Sequence, residues 1–188
     1  MAPRSKITKE GIVEAAIEAV RENGVEALNA RSLAARLGCS TQPIFSNFAS
    51  MDELRTALIS EAVSIYDGYT ARIVETGKYP SYKASGIAYI GFAGEEKELF
   101  KLLYMSKKEK TKAPALTKNW ERSVTLAGNT AGLESEKAEL FHLEMWVFVH
   151  GIATMVATDS LQLDSELVSE MLTDAYIGLS ERFTGGKK

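Results

Sequence analysis

Between Asn29 and Phe48 the sequence has room for only two short helices, separated at Gly38. Asn29 can cap the first, and Pro43 falls in the first turn of the second, where its missing N–H has no helical partner to lose. Helices this short are marginal in water and persist only by packing. The residue types say how they pack. Ala34 is small where the two helices must approach, Gly38 permits positive φ at the turn, and Leu33, Leu37 and Ile44 supply apolar contacts that lock the angle. The pattern predicts a helix-turn-helix, a motif whose second helix can enter the major groove of DNA.

The rest of the chain reads as helix as well. Thr8 is a plausible N-cap and Gly24 a plausible stop for a first helix, and Ser40 is expected to cap the helix from Thr41 to about Phe48. Ser50-Met51-Asp52-Glu53 has the pattern of a capping box in which Glu53 reaches back to the cap residue's own N–H, opening a long helix to Thr76. Further helices are expected at about 80–94, 96–105, 114–127, 134–157 and 164–183, the last capped by Asp164. No segment sustains period-two alternation with strand chemistry, so the expected fold is all-α with about nine helices. It divides into a helix-turn-helix domain over 1–50 and a larger helical domain over 51–188.

Composition narrows the function. With 188 residues, 45% of them apolar, the chain can bury a real core. A single cysteine, Cys39, leaves no internal disulfide, multi-cysteine zinc site or redox pair, and makes the cytoplasm the default location. The basic start, Met1 to Lys9, leads into an acidic amphipathic stretch and does not read as a secretory signal. The longest apolar run, Met145 to Ala157, is interrupted by His150, Gly151 and Thr154 and is too short to span a bilayer, so no membrane partner is expected. His142 and His150 lie too far apart for metal-ligand spacing, and neither a Gly-rich phosphate loop nor a Ser or Cys elbow is present. We therefore expect no enzyme, no catalytic residue, no metal and no cofactor.

Net charge is −3, and residues 1–55 carry as many acids as bases. Glu10, Glu14, Glu18 and Glu22 form one ridge of the first helix, opposite Ile12, Val13, Ala16, Ile17 and Val20, so a polyanion must meet a different surface. The lysines at 101, 107, 108, 110, 112 and 118 read as a solvated face or loop ahead of the alternative, a nucleic-acid patch.

Several runs together resemble the TetR-type (TetR/AcrR) bacterial transcriptional regulators. They are Ile12-Val13-x-x-Ala16, Glu22-Asn23-Gly24, Arg31 through Ser40, Ile44-Phe45-Ser46-Asn47-Phe48 and Asp52-Glu53-Leu54, in that order over roughly 8–58. Ile87 through Ala93, Leu99 through Met105 and Trp146-Val147-Phe148-Val149-His150-Gly151 are similar to one Trp-His-Gly subgroup of TetR-type C-terminal domains. The resemblance implies a DNA-binding regulator whose C-terminal domain binds effectors and dimerises. Phe45 and Met51 depart from the family's usual tyrosine and lysine, which commonly touch phosphates. Those losses keep open an alternative, an interaction protein on the same fold that no longer binds DNA.

On a recognition helix the side chains expected at base edges are Thr41, Gln42, Phe45, Ser46 and Asn47. Gln42 can pair with adenine, Thr41 offers a hydroxyl and a methyl, and Phe45 suits a thymine methyl or a sugar edge; Ser46 and Asn47 have the duller alternative of capping. Phosphates are expected at Arg4, Lys6, Thr8, Arg31, Ser40 and the first N–H groups of that helix. A small apolar or aromatic effector is expected among Tyr66, Tyr69, Tyr89, Phe92, Met105, Trp120, Trp146 and His150. A homodimer on a palindromic double-stranded operator follows from the few base pairs one copy can read. Its surface is expected at Met145, Val149, Leu167, Val168, Met171, Leu172, Ala175 and Tyr176, because the last two helices are apolar on more than one face.

Overall fold

The structure is a computed structural model that describes residues 7–106 and 114–185, with backbone alone at 114–117. The Thr8 hydroxyl accepts from the Gly11 N–H at 3.1 Å and caps α1 (Lys9–Asn23), which Gly24 ends at a φ of 74°. A single 3-10 turn, Val25–Ala27, leads to α2 (Ala30–Arg36), where Asn29 and Ser32 cap each other's backbone. At its far end the Cys39 N–H reaches the Ala34 carbonyl and the Gly38 N–H the Ala35 carbonyl, with φ at Gly38 of 63°. This paired closure needs a left-handed residue just past the helix, the conformation glycine adopts without strain.

The third helix, α3 (Gln42–Asn47), begins one residue later than expected. Thr41, not Ser40, holds the N-cap position with helical dihedrals and no side-chain bond, because its own carbonyl takes both the Ile44 and Phe45 N–H groups at 3.2 Å. In α4 (Met51–Glu75) the Ser50 hydroxyl accepts from the Glu53 N–H, and Glu53 in turn accepts from the N–H of Ala49, one residue before the expected partner. Five further helices follow: α5 (Ser81–Glu95), α6 (Lys97–Phe100), α7 (Pro114–Ala131), α8 (Ser135–Ala157) and α9 (Ser165–Thr184). After α6 the backbone widens into a π turn, Lys101–Met105, closed by the Ser106 N–H on the Lys101 carbonyl. The Asp164 carboxylate caps α9 as expected. The described residues contain nine α-helices and no strand.

The chain forms two compact units. One comprises residues 1–65 and 98–109, so it takes α1 to α3, the first part of α4 and the segment after Lys97. Its core is Ile12, Ala16, Val20, Leu33, Ile44, Phe48, Leu54 and Leu58, which places α1 against both α2 and α3. The other comprises residues 66–97 and 110–188, with α5, α7 and α9 packed around α8. Among the described residues α8 alone has the length and apolar composition of a membrane-crossing helix, more than the Met145–Ala157 run suggested. It buries Phe141, Met145, Ile152 and Ala153, as the central helix of a globular core also does.

Candidate functional site

The helix-turn-helix is held by more than apolar contact. Arg36 of α2 forks onto Glu22 of α1, with both N–H···O distances at 2.6 Å, and its hydrogen bonds hold the Glu22 carboxyl below the usual range. Lys9 bonds Glu53 at 2.9 Å while lying 4.7 Å from the centre of the Phe48 ring. That contact, with the Ala49 N–H, also keeps Glu53 ionised. The glutamate ridge of α1 is thus partly used internally, since Glu18 pairs with Arg21.

Within α3 the core residues Ile44 and Phe48 point inward, and Gln42, Phe45 and Ser46 are exposed. Thr41 is half-buried. Two of the expected base readers turn back onto their own helix. Ser46 Oγ donates to the Gln42 carbonyl at 2.9 Å, and Asn47 Nδ2 donates to the Pro43 carbonyl at 2.8 Å. Gln42 and Phe45 carry no such bond. Among the expected phosphate partners, Arg31 is exposed with no ion pair among the described residues, Ser40 is exposed, and Thr8 keeps its hydroxyl proton while its oxygen caps α1. Arg4 and Lys6 lie outside the described residues, as do lysines 107, 108, 110 and 112.

In the second unit the expected effector residues form a connected aromatic run. Tyr66 meets Phe92 at 5.2 Å and Tyr89 at 6.0 Å, Tyr69 meets Phe92 at 5.9 Å, and the Tyr89 hydroxyl is 3.0 Å from His150 Nδ1. Trp146 stacks on His150 with rings 13° from parallel, and Trp120 stands edge-on to Trp146 at 5.8 Å. Met105 belongs to the other unit, where it is exposed.

Sequence reasoning missed the continuation of this run. Trp120 also lies 4.7 Å from His142, whose Nδ1 is 2.9 Å from the Tyr82 hydroxyl. The two Tyr–His pairs repeat after seven residues on α5 and eight on α8, two turns in each, so these helices run in the same direction. That matching spacing was the available signal. Burial lowers the His142 pKa to about 4, pushes the Tyr66 hydroxyl up to about 12 and raises those of Tyr82 and Tyr89. Near neutral pH His142 and these three phenols are therefore uncharged, able to exchange hydrogen bonds without presenting a fixed charge.

The residues expected at a dimer surface divide. Met145, Val149, Val168 and Leu172 are buried inside the chain, Leu172 against Gly86 of α5. Ala175 and Tyr176 pack on the cluster of Tyr82, Phe141 and Met145. Their packing removes most of them from the surface open to a second copy. Leu167 is exposed and Met171 half-buried. On these two helices the large apolar side chains left uncovered are instead Leu140, Leu143, Val147, Phe148 and Met155 of α8, with Leu167 and Ile177 of α9.

Comparison with known proteins adds sequence and fold relatives. Residues 12–58 match the family described as bacterial regulatory proteins, tetR family, and residues 82–176 match the tetracyclin repressor-like C-terminal domain. An uncharacterized HTH-type transcriptional regulator of Mycobacterium tuberculosis is 23% identical over 97% of this chain and 86% of its own length. A TetR-like transcriptional regulator from Rhodococcus sp. RHA1 shares the fold with a TM-score of 0.70, at 18% identity over 100% of both chains. AibR, solved in complex with isovaleryl coenzyme A and operator DNA, superposes with a TM-score of 0.60 at 13% identity, over 87% of this chain and 95% of its own.

Proposed function

The chain belongs to the TetR family of bacterial regulatory proteins and is a transcriptional regulator with DNA-binding and ligand-binding domains; from that premise we propose that it is a homodimeric repressor, released from a palindromic operator by a small apolar or aromatic effector. The observation that carries the DNA side is the outward face of α3, where Gln42 and Phe45 stand exposed on a helix anchored by buried Ile44 and Phe48. Gln42 gives one base edge a paired donor and acceptor, and Arg31 gives a phosphate its charge. Thr41, Ser46 and Asn47 then contribute less than Gln42, the latter two because their donors are already engaged.

The effector side rests on the aromatic run. A ligand lying against Trp146, His150 and Tyr89 gains ring contact and a hydrogen-bonding partner in the uncharged Tyr89 phenol. That AibR was solved with both a small molecule and operator DNA supports joining the two roles in one chain. Pairing through the uncovered faces of α8 and α9 brings two copies of α3 to one operator, as a palindrome requires. An effector that favours a conformer with the wrong spacing shifts the population off DNA, and α4, which supplies residues to both units, is the lever. The site of action is the cytoplasm, where the DNA is. The test starts with duplexes that the protein selects from a random pool. Binding to inverted repeats that weakens steeply with salt and is reversed by a neutral aromatic compound supports the proposal. Absence of salt-sensitive duplex binding replaces it with an interaction protein on the same fold.

A further inference from the structure

Phe45 is 49% exposed, the one large apolar side chain left uncovered among the described residues of the helix-turn-helix domain. It stands three residues after Gln42 on the outward face of α3, and having no hydroxyl it cannot bond a phosphate. Its neighbours Ser46 and Asn47 are occupied with the carbonyls of Gln42 and Pro43. Past Gln42, then, the outward face of α3 presents a hydrocarbon ring where a polar reader would be expected. In the major groove the group that such a ring can distinguish is the C5-methyl of thymine, since the other features there are hydrogen-bonding edges.

We propose that Phe45 is a specificity-determining residue that selects thymine by packing on its C5-methyl. The proposal rests on the reading of α3 as a recognition helix. Three residues of helix advance about 4.5 Å, so the thymine lies about one base pair from the pair read by Gln42. Burying one methyl against the ring is worth about fourfold in affinity for each half-site.

The experiment uses a duplex that the full-length protein has selected from a random pool. Each thymine is replaced in turn by deoxyuridine, which removes the methyl and leaves the Watson–Crick edge intact. With the unaltered protein one position per half-site should lose about fourfold in affinity. With Phe45→Ala the loss at that position should vanish, while the effects of deoxyuridine elsewhere stay as they were. Replacing that thymine by 5-methylcytosine, with guanine opposite, should retain more affinity than unmethylated cytosine, again only when Phe45 is present. Because Phe45 is exposed, an unchanged melting temperature is expected for Phe45→Ala and checks that the fold is intact. Methyl effects that are absent, or equal in both proteins, overturn the assignment and leave Phe45 on the sugar edge. A protein that binds no duplex in a salt-sensitive way overturns the recognition-helix reading and this assignment together.

Discussion

An alanine in place of Gly91 should change the sign of its effect according to one oxygen atom. A Cβ added there would sit 2.6 Å from Tyr69 Oη and 3.4 Å from Cζ. Tyr69 has little room to retreat, being 8% exposed, packed on Phe92 and bonded through its hydroxyl to Glu95 at 2.7 Å. In a helix interior, glycine to alanine gains about 0.8–1 kcal/mol. Against that stand overpacking, about 1–3 kcal/mol, and disruption of the Tyr69–Glu95 bond, about 0.5–1.5 kcal/mol. Gly91→Ala should therefore destabilise by about 1–3 kcal/mol. In a Tyr69→Phe background the nearest remaining atoms are Cζ at 3.4 Å and Cε1 at 3.5 Å, ordinary contact distances. There the same substitution should stabilise by up to about 1 kcal/mol. Urea unfolding of the four proteins measures the cycle, and a melting shift of about 2–4 °C per kcal/mol gives an independent reading. A gain in stability from Gly91→Ala alone, or an equal loss in both backgrounds, would refute the steric argument.

Gln42→Ala should lose about 1–3 kcal/mol on the selected duplex and relax preference at one base pair per half-site, with random duplexes hardly affected. Arg31→Ala should weaken both kinds of duplex and flatten the salt plot by about one unit for each phosphate no longer neutralised, measured by anisotropy titrations across salt. Val147 is 58% exposed on the uncovered face of α8, so Val147→Glu should give a folded monomer in sedimentation that no longer binds the palindrome. Leu172, at 3% exposure, should instead lose its melting transition when made Glu. His142 is neutral in the folded state down to about pH 4, whereas in the unfolded chain it takes a proton near pH 6.5. Its contribution is complete above about pH 6.5 and is lost as pH falls from there toward about 4, because the unfolded chain binds the proton first. His142→Gln should flatten the corresponding part of a stability curve measured by denaturant titration at successive pH values.

The features legible in the sequence were those decided within a few residues. Thr8, Asn29 and Asp164 cap their helices, and Gly24 and Gly38 take positive φ, because each closes hydrogen bonds with backbone two to four positions away. The helix-turn-helix was legible for the same reason, since its two helices and turn are contiguous. Tertiary structure alone decided which of several apolar faces of α8 and α9 is covered. Met145, Val149, Val168 and Leu172 lie inside, while Val147, Met155 and Ile177 remain outside. A helix apolar on more than one side has no unique inward direction in its 3.6-residue period, and only the placement of α5 and α7 settles it. The same holds for His142. Its partner Tyr82 is 60 residues away, and what makes the histidine neutral is burial, which depends on how whole helices pack.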